Sequence, residues 1–121
     1  MSQALVVVRA ALSERGFGVL TEIDVQKTLK EKLYIAFRPY VILGGCNPSL
    51  THQASQADLG IGLLLPSGDT VYYNLDQTSG VEVIDPVAAL GIVGDQPAVG
   101  VAARVAALRL RRVIAILEAS A

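Results

Sequence analysis

The sequence predicts one α+β domain, in which helices pack on one face of a mostly antiparallel sheet of four or five strands. Two observations support this prediction: a helical pattern stands at each end of the chain, and strand patterns cluster between them. The length of 121 residues suits a single domain, and an apolar content of 52% is enough for one core. We therefore treat residues 1–121 as one domain.

The first part of the chain alternates helix and strand patterns. Residues 3–15 place apolar side chains on one helical face, and Gly16 marks the end of this helix. Residues 17–23 are rich in β-forming side chains and predict a strand. Asp24 then serves as the N-cap of a second, amphipathic helix over residues 25–33.

The middle of the chain begins with an apolar strand over residues 37–46, which ends in two glycines and the only cysteine. Asn47 is a capping side chain and Pro48 suits the first turn of a helix, so a short helix is expected through residue 56. Residues 61–65 form a continuous apolar run that predicts another strand. The Ser-Gly-Asp sequence at 67–69 predicts a turn.

The last third continues this antiparallel pattern and ends in helices. Residues 70–75 and 81–84 predict two strands, joined by a turn that contains a Ser-Gly pair. An Asp-Pro pair predicts a short helix over residues 85–90. Residues 98–118 form a long amphipathic helix, and its arginines are expected to lie on a solvated face where they complement the helix dipole.

Composition excludes several classes of function. A net charge of −1 gives no basic surface for nucleic acid, and no apolar run approaches the roughly 20 residues of a membrane span. The N-terminal segment has no basic start or cleavage site of a signal peptide, and one cysteine cannot form an internal disulfide. We therefore expect a cytoplasmic protein with no nucleic-acid or membrane partner, no metal and no cofactor.

Cys46 is the first candidate for chemistry because it stands between an apolar strand and a helix start. The N-terminus of a helix favours the thiolate, which is the reactive form of cysteine. His52 lies about one turn into that helix, and a Cys/His pair is the minimum for an activated nucleophile. No third, orienting group is visible. Packing as a small hydrophobic residue is the plainer interpretation of Cys46.

A ligand pocket is the second candidate, and it is expected at the same strand-to-helix junction. Gly44, Gly45 and Asn47 are predicted to line it, although the glycines by themselves indicate only turn and close-packing positions. Arg38 is added to this set because a guanidinium group pairs with a carboxylate or phosphate through two hydrogen bonds. A surface salt bridge is the alternative role for Arg38.

Several segments of the chain resemble one family, which is catalogued as domain of unknown function 302. The segments that carry the resemblance are residues 16–25, 29–33, 37–40, 42–48, 62–66 and 84–86. The resemblance covers roughly residues 3–117. It implies a fold like a single copy of the TATA-binding protein, with a β-α-β(4)-α arrangement, and it implies a homodimer. It implies no established activity.

The chain departs from the family pattern in three places. No strand precedes the first helix, so the sheet is expected to lack an edge strand, and an unpaired edge favours dimerisation. Ser67 stands where the family often has a cysteine, which excludes a dithiol or metal clamp at that pair of positions. Tyr34 stands where the family tends to have a glycine after a helix, which alters a C-cap.

Two functions follow as hypotheses. The first is a small homodimeric binding or interaction domain, not an enzyme, with a small-molecule pocket near Gly44 to Asn47. A high mean hydropathy of +0.49 favours a partner that covers apolar surface. The alternative is a thiol-dependent carrier or transferase of sulfur species that uses Cys46 with His52 assisting.

Overall fold

The structure is a computed structural model that describes residues 2–57, 60, 67–74, 78–90 and 97–119. Within these residues the helices are α1 (Ser2–Glu14), α2 (Val25–Leu33), α3 (Pro48–Ala57), α4 (Pro86–Leu90) and α5 (Pro97–Ala119). The strands are β1 (Gly18–Asp24), β2 (Tyr40–Cys46), β3 (Ser67–Tyr73) and β4 (Ser79–Val83). The first described element is a helix, and the α+β class predicted from the sequence is confirmed. In this part of the chain no helix is both long and apolar enough to cross a membrane.

The four described strands form one antiparallel sheet in the order β1-β2-β3-β4. Each strand pairs with the next one along the chain, and β1 and β4 are the edges. The β1–β2 register shifts between Val19 and Thr21, so Leu20 is an extra residue in a bulge and lies exposed. The regular register beyond the bulge places Ile23 opposite Ile42 and Asp24 opposite Val41.

The two faces of the sheet differ in what covers them. The inner face packs against α1 and α5, and its strand residues in the main hydrophobic cluster are Val19, Val41, Leu43, Val71, Val81 and Val83. The opposite, outer face is made by Ile23, Tyr40, Ile42, Thr70, Tyr72 and Glu82. None of these outer-face residues belongs to either described hydrophobic cluster. The core therefore lies on one side of the sheet.

The turn from α1 to β1 is a glycine-terminated helix end, as the sequence predicts. Gly16 has a φ of 84°, and its N–H donates to the carbonyl of Ser13 at 3.0 Å. The N–H of Phe17 donates to the carbonyl of Leu12 at 2.9 Å, which completes a Schellman motif. Leu12 and Phe17 also belong to the main hydrophobic cluster, so the motif anchors the helix end to the core.

Three predicted helix starts are confirmed by their capping bonds. The Oδ1 of Asp24 accepts from the N–H of Lys27 at 3.0 Å, and the Oδ1 of Asn47 accepts from the N–H of Leu50 at 3.1 Å. Asp85 accepts from the N–H two residues later at 2.9 Å. Each cap satisfies an N–H group that the first helical turn leaves without a partner.

The predicted turn at residues 67–69 is wrong. These residues form the start of β3, where Ser67, Gly68 and Asp69 pair with residues of β2. The strand ends at Tyr73, so it is also shifted from the predicted span of 70–75. The predicted strand over residues 61–65 lies outside the described residues. The tertiary pairing with β2 overrides the local preference of Ser-Gly-Asp for a turn.

A second difference concerns the segment between β1 and β2, which we call the arm and define as residues 25–39. Strand β2 begins at Tyr40, so residues 37–39, predicted as strand, belong to the arm. Helix α2 has no buried residue. Its C-cap is Tyr34, which is in the left-handed conformation with a φ of 56°, at the position where the resemblance to the family indicates an altered C-cap. The arm is therefore weakly integrated with the core.

Candidate functional site

The junction between β2 and α3 brings together three polar side chains. The Sγ of Cys46 and the hydroxyl of Thr51 share a hydrogen bond of 2.8 Å. Asn47 is buried, with 7% of its surface exposed, and caps α3 through its Oδ1. Because the last residue of β2 leads directly into the helix start, Cys46, Asn47 and Thr51 are fixed by both elements at once.

These side chains adjoin a small cavity of about 40 Å³. Its lining from β2 and α3 includes Gly45, Cys46, Asn47 and Thr51. The opposite wall is apolar and comes mainly from α5, through Ala102, Ala103 and Ala106. A volume of this size holds a few water molecules but no metabolite. The predicted pocket position thus coincides with a cavity, but the cavity is too small for a metabolite without rearrangement.

The structure does not bring all of the predicted ligand-binding residues together. Arg38 precedes β2, whereas Asn47 follows it, and a seven-residue strand separates their ends by roughly 20 Å. Gly44 and Gly45 are adjacent in β2 and so project toward opposite faces of the sheet. Of the predicted ligand-binding set, Gly45 and Asn47 line the cavity and Arg38 and Gly44 do not.

The predicted pair of Cys46 and His52 is also not assembled. His52 is exposed on α3, and no hydrogen bond joins it to Cys46 among the described residues. The cysteine sulfur is half-buried and its hydrogen-bond partner is Thr51. The structure therefore shows no hydrogen bond from the imidazole of His52 to Cys46, both of which it describes, and a thiol reaction at Cys46 stays a hypothesis.

We expect Cys46 in the folded protein to react with iodoacetamide about ten-fold more slowly than in the urea-unfolded chain at the same pH. The cysteine is half-buried and its sulfur is bonded to Thr51, so the access of the reagent to the sulfur is restricted. Intact-mass spectrometry measures both rates. Thr51→Ala, which removes the hydroxyl partner, is expected to speed the reaction in the folded protein. A native rate equal to that of the unfolded chain would contradict the expected protection, and a rate above it, which needs an accessible and activated thiol, would favour the thiol hypothesis.

A buried carboxyl group behind this junction was not predicted from the sequence. Asp69 is 1% exposed and lies on the inner face, between Leu43 of β2 and Val83 of β4. Its Oδ1 has no hydrogen-bond partner among the described residues. Burial raises the pKa of Asp69 to about 7, because the ionised form loses its hydration.

Gly45 provides the space that this carboxyl group occupies. A Cβ atom at Gly45 would lie 3.0 Å from the Oδ2 of Asp69, which is tighter than ordinary packing allows. The second glycine of the Gly-Gly pair therefore accommodates a side chain from the neighbouring strand. Strand alternation puts Asp69 and Val71 on one face once β3 begins at Ser67. The sequence predicted a turn at residues 67–69, so the buried carboxyl group was missed.

Metal ligands do not cluster in the part of the chain that the structure describes. No three His, Cys, Asp or Glu side chains come together there. Asp58, the acidic residue nearest to Cys46 and His52 along the chain, lies outside the described residues. The polar residues that the structure places at or beside the junction of β2 and α3 are Cys46, Asn47, Thr51 and Asp69.

Comparisons with known proteins identify the family. No curated protein matches the chain. The crystal structure of an uncharacterized conserved DUF302 protein from Bacillus stearothermophilus is similar, with a TM-score of 0.82 and 29% sequence identity. The match covers 98% of this chain and 88% of that one. The sequence model described as domain of unknown function DUF302 matches residues 1–117. The resemblance noted in the sequence is thus confirmed, and the chain belongs to the DUF302 family.

Proposed function

We propose that this protein is a cytoplasmic, homodimeric binding domain, and that two copies associate through the outer face of the sheet together with the arm. The observation that supports this proposal most directly is the exposure of apolar side chains along the arm. The exposed fractions are 59% for Leu33, 91% for Tyr34, 48% for Ile35 and 42% for Phe37. Four neighbouring apolar side chains in contact with water are costly unless something covers them.

Helix α2 gives an independent reason to expect a covering partner. It has nine residues and no buried side chain, yet its pattern is amphipathic. An isolated helix shorter than about 12 residues is marginal in water, and most helices are held by packing of their apolar face. One copy of the chain provides little of this packing, so a second surface against α2 would supply the missing stabilisation.

The arm is continuous with an apolar and aromatic part of the outer face. The ring of Phe37 lies 6.1 Å from that of Tyr40, and Tyr40 stacks on Tyr72 at 5.5 Å. Ile23, opposite Ile42 in the register, is 49% exposed. Aromatic residues are enriched in the centres of protein interfaces, which supports a protein partner for this surface.

The charge distribution favours a second copy of the chain as that partner. The arm carries four basic side chains and one acidic one, whereas the remainder of the sequence carries six basic and ten acidic ones. Glu82 is exposed on the outer face and accepts a hydrogen bond of 2.6 Å from the hydroxyl of Tyr72. A two-fold contact that places each basic arm against the acidic body of its partner is self-complementary.

Sedimentation velocity over a concentration series tests this proposal. We expect a reversible dimer, and we expect Ile23→Arg to weaken it at least about ten-fold, because a charge would be buried in the interface. Leu108→Arg is the matched control. It places the same charge at an exposed leucine of α5, away from the outer face, and should leave the dimer unchanged. A wild-type protein that stays monomeric at high concentration would contradict the proposal.

A further inference from the structure

Three arginines from distant parts of the sequence line one surface cleft. Arg15 follows the end of α1, whereas Arg109 and Arg112 lie one turn apart on α5. With Glu14 and Gly16 they surround a cavity of about 300 Å³. One carboxylate against three guanidinium groups leaves the cleft with an excess of positive charge.

The helix dipole does not explain the position of these arginines. The arginines are predicted to lie mostly in the latter half of α5 on a solvated face, and Arg104, Arg109, Arg111 and Arg112 are all exposed. The last turn of α5 contains no basic residue. The dipole effect fades within the last turn of a helix, and Arg109 and Arg112 lie more than one turn before the end. Their convergence with Arg15 needs another reason.

The guanidinium groups of the cleft have no carboxylate partner among the described residues. The salt bridge found among the described residues lies outside the cleft and joins Arg9 and Glu22, at 2.8 Å. The Nε of Arg15 is buried and has no hydrogen-bond partner within the described part of the chain. A buried N–H without an acceptor costs free energy. Because this Nε is closed off from solvent, a ligand oxygen reaches it only when the Arg15 side chain turns toward the cleft.

A buried amide group adds a further donor beside the cleft. The Oδ1 of Asn47 is occupied by the N–H of Leu50, which fixes the orientation of the amide. Its Nδ2 lies 2.9 Å from the point where a Cβ of Gly16 would be, and the Nη1 of Arg109 lies 3.6 Å from the same point. Donors from α5 and from the start of α3 therefore meet at Gly16, where a side chain would collide with the amide of Asn47.

We propose that this cleft binds a phosphate group, either as inorganic phosphate or as part of a small phosphorylated molecule. Guanidinium groups form paired hydrogen bonds with planar or tetrahedral oxyanions, and arginine is the preferred residue for such contacts. The excess of positive charge matches a dianion better than a monocarboxylate. A cavity of about 300 Å³ is large enough for one phosphate group and its immediate substituent.

This site is separate from the proposed dimer surface. The cleft belongs to the α1–β1 turn and α5 on the inner side of the sheet, whereas the dimer is proposed for the outer face and the arm. Asn47 connects the cleft with the junction at Cys46, because the same side chain caps α3 and lines the small cavity there. Binding of a ligand in the cleft is therefore expected to perturb the residues at the start of α3.

Amide chemical shifts of the full-length protein, followed by NMR during titration with inorganic phosphate, test the proposal. We expect saturable shifts at Arg15, Gly16 and Asn47, and binding weakened about ten-fold by Arg109→Gln. Arg104→Gln is the matched control: it removes the same charge from an exposed position of α5 outside the cleft and should leave the affinity unchanged. Sodium chloride of equal ionic strength should produce no saturable shift.

Each contrary result overturns the assignment. Shifts that do not saturate, or that Arg104→Gln weakens as much as Arg109→Gln does, would mean general charge attraction and no built site. Acetate that binds as tightly as phosphate would exclude the preference for phosphate. The amide spectrum of each variant without ligand reports whether it is folded, so a loss of binding is distinguishable from unfolding. A monomeric protein would contradict the dimer proposal and leave this one standing.

Discussion

Asp69→Asn is expected to raise the free energy of unfolding by about 4 kcal/mol at pH 8 and to change it little near pH 4. The reason is the buried position of the carboxyl group, which is 1% exposed and has an Oδ1 without a partner among the described residues. Burial raises its pKa from 3.8 to about 7. Asn keeps the shape of the neutral acid but cannot ionise.

The direction of the pH dependence follows from proton binding. Well below pH 3.8 the carboxyl group of Asp69 is protonated in both the folded and the unfolded chain, and the penalty is absent. Between pH 3.8 and about 7 the unfolded chain releases the proton while the folded one holds it, so stability falls as the pH rises. Above pH 7 both states are ionised and the full penalty of the buried charge remains.

Urea unfolding at several pH values measures this effect. The wild type should lose stability between pH 4 and pH 8 by more than Asp69→Asn does. Asp85→Asn is the control, because Asp85 is exposed and asparagine caps a helix as well as aspartate does. If Asp69→Asn lowered stability at pH 8, the ionised carboxylate would have a favourable partner in the fold, contrary to its geometry.

The features predicted correctly from the sequence are those decided by neighbouring residues. The capping bonds of Asp24 and Asn47 join residues three apart, and the Schellman motif at Gly16 spans only six residues. Their chemistry is visible in a short stretch of sequence. The packing of helices on one face and the antiparallel order also follow, because apolar periodicity and short connections constrain both.

The features that were missed depend on contacts between residues far apart in sequence. Asp69 is accommodated by Gly45 on the neighbouring strand, and nothing local to either residue indicates the pairing. The Ser-Gly-Asp turn prediction failed for the same reason. Arg15 and Arg109 meet only because α1 packs on α5 in the main cluster. The periodicity of α5 shows which of its arginines share a face, but it does not show that this face lies beside Arg15.

The neighbouring residues Leu43 and Ile42 are expected to differ sharply when each is replaced by alanine. Leu43 is 0% exposed at the centre of the inner face, so Leu43→Ala should cost about 3 kcal/mol of unfolding free energy through lost contacts and a cavity. Ile42 is half-buried on the outer face, outside both hydrophobic clusters. In the monomer, Ile42→Ala should cost less than about 1 kcal/mol.

Protein concentration separates the two effects, because a dimer adds stability by mass action and a monomer does not. With urea unfolding measured at low and high protein concentration, the loss in Leu43→Ala should be large at both. The loss in Ile42→Ala should grow with concentration, since the variant weakens the proposed contact between two outer faces. If Ile42→Ala were as damaging as Leu43→Ala in dilute solution, the outer face would be covered within one copy of the chain. The same result would remove the apolar surface on which the proposed dimer depends.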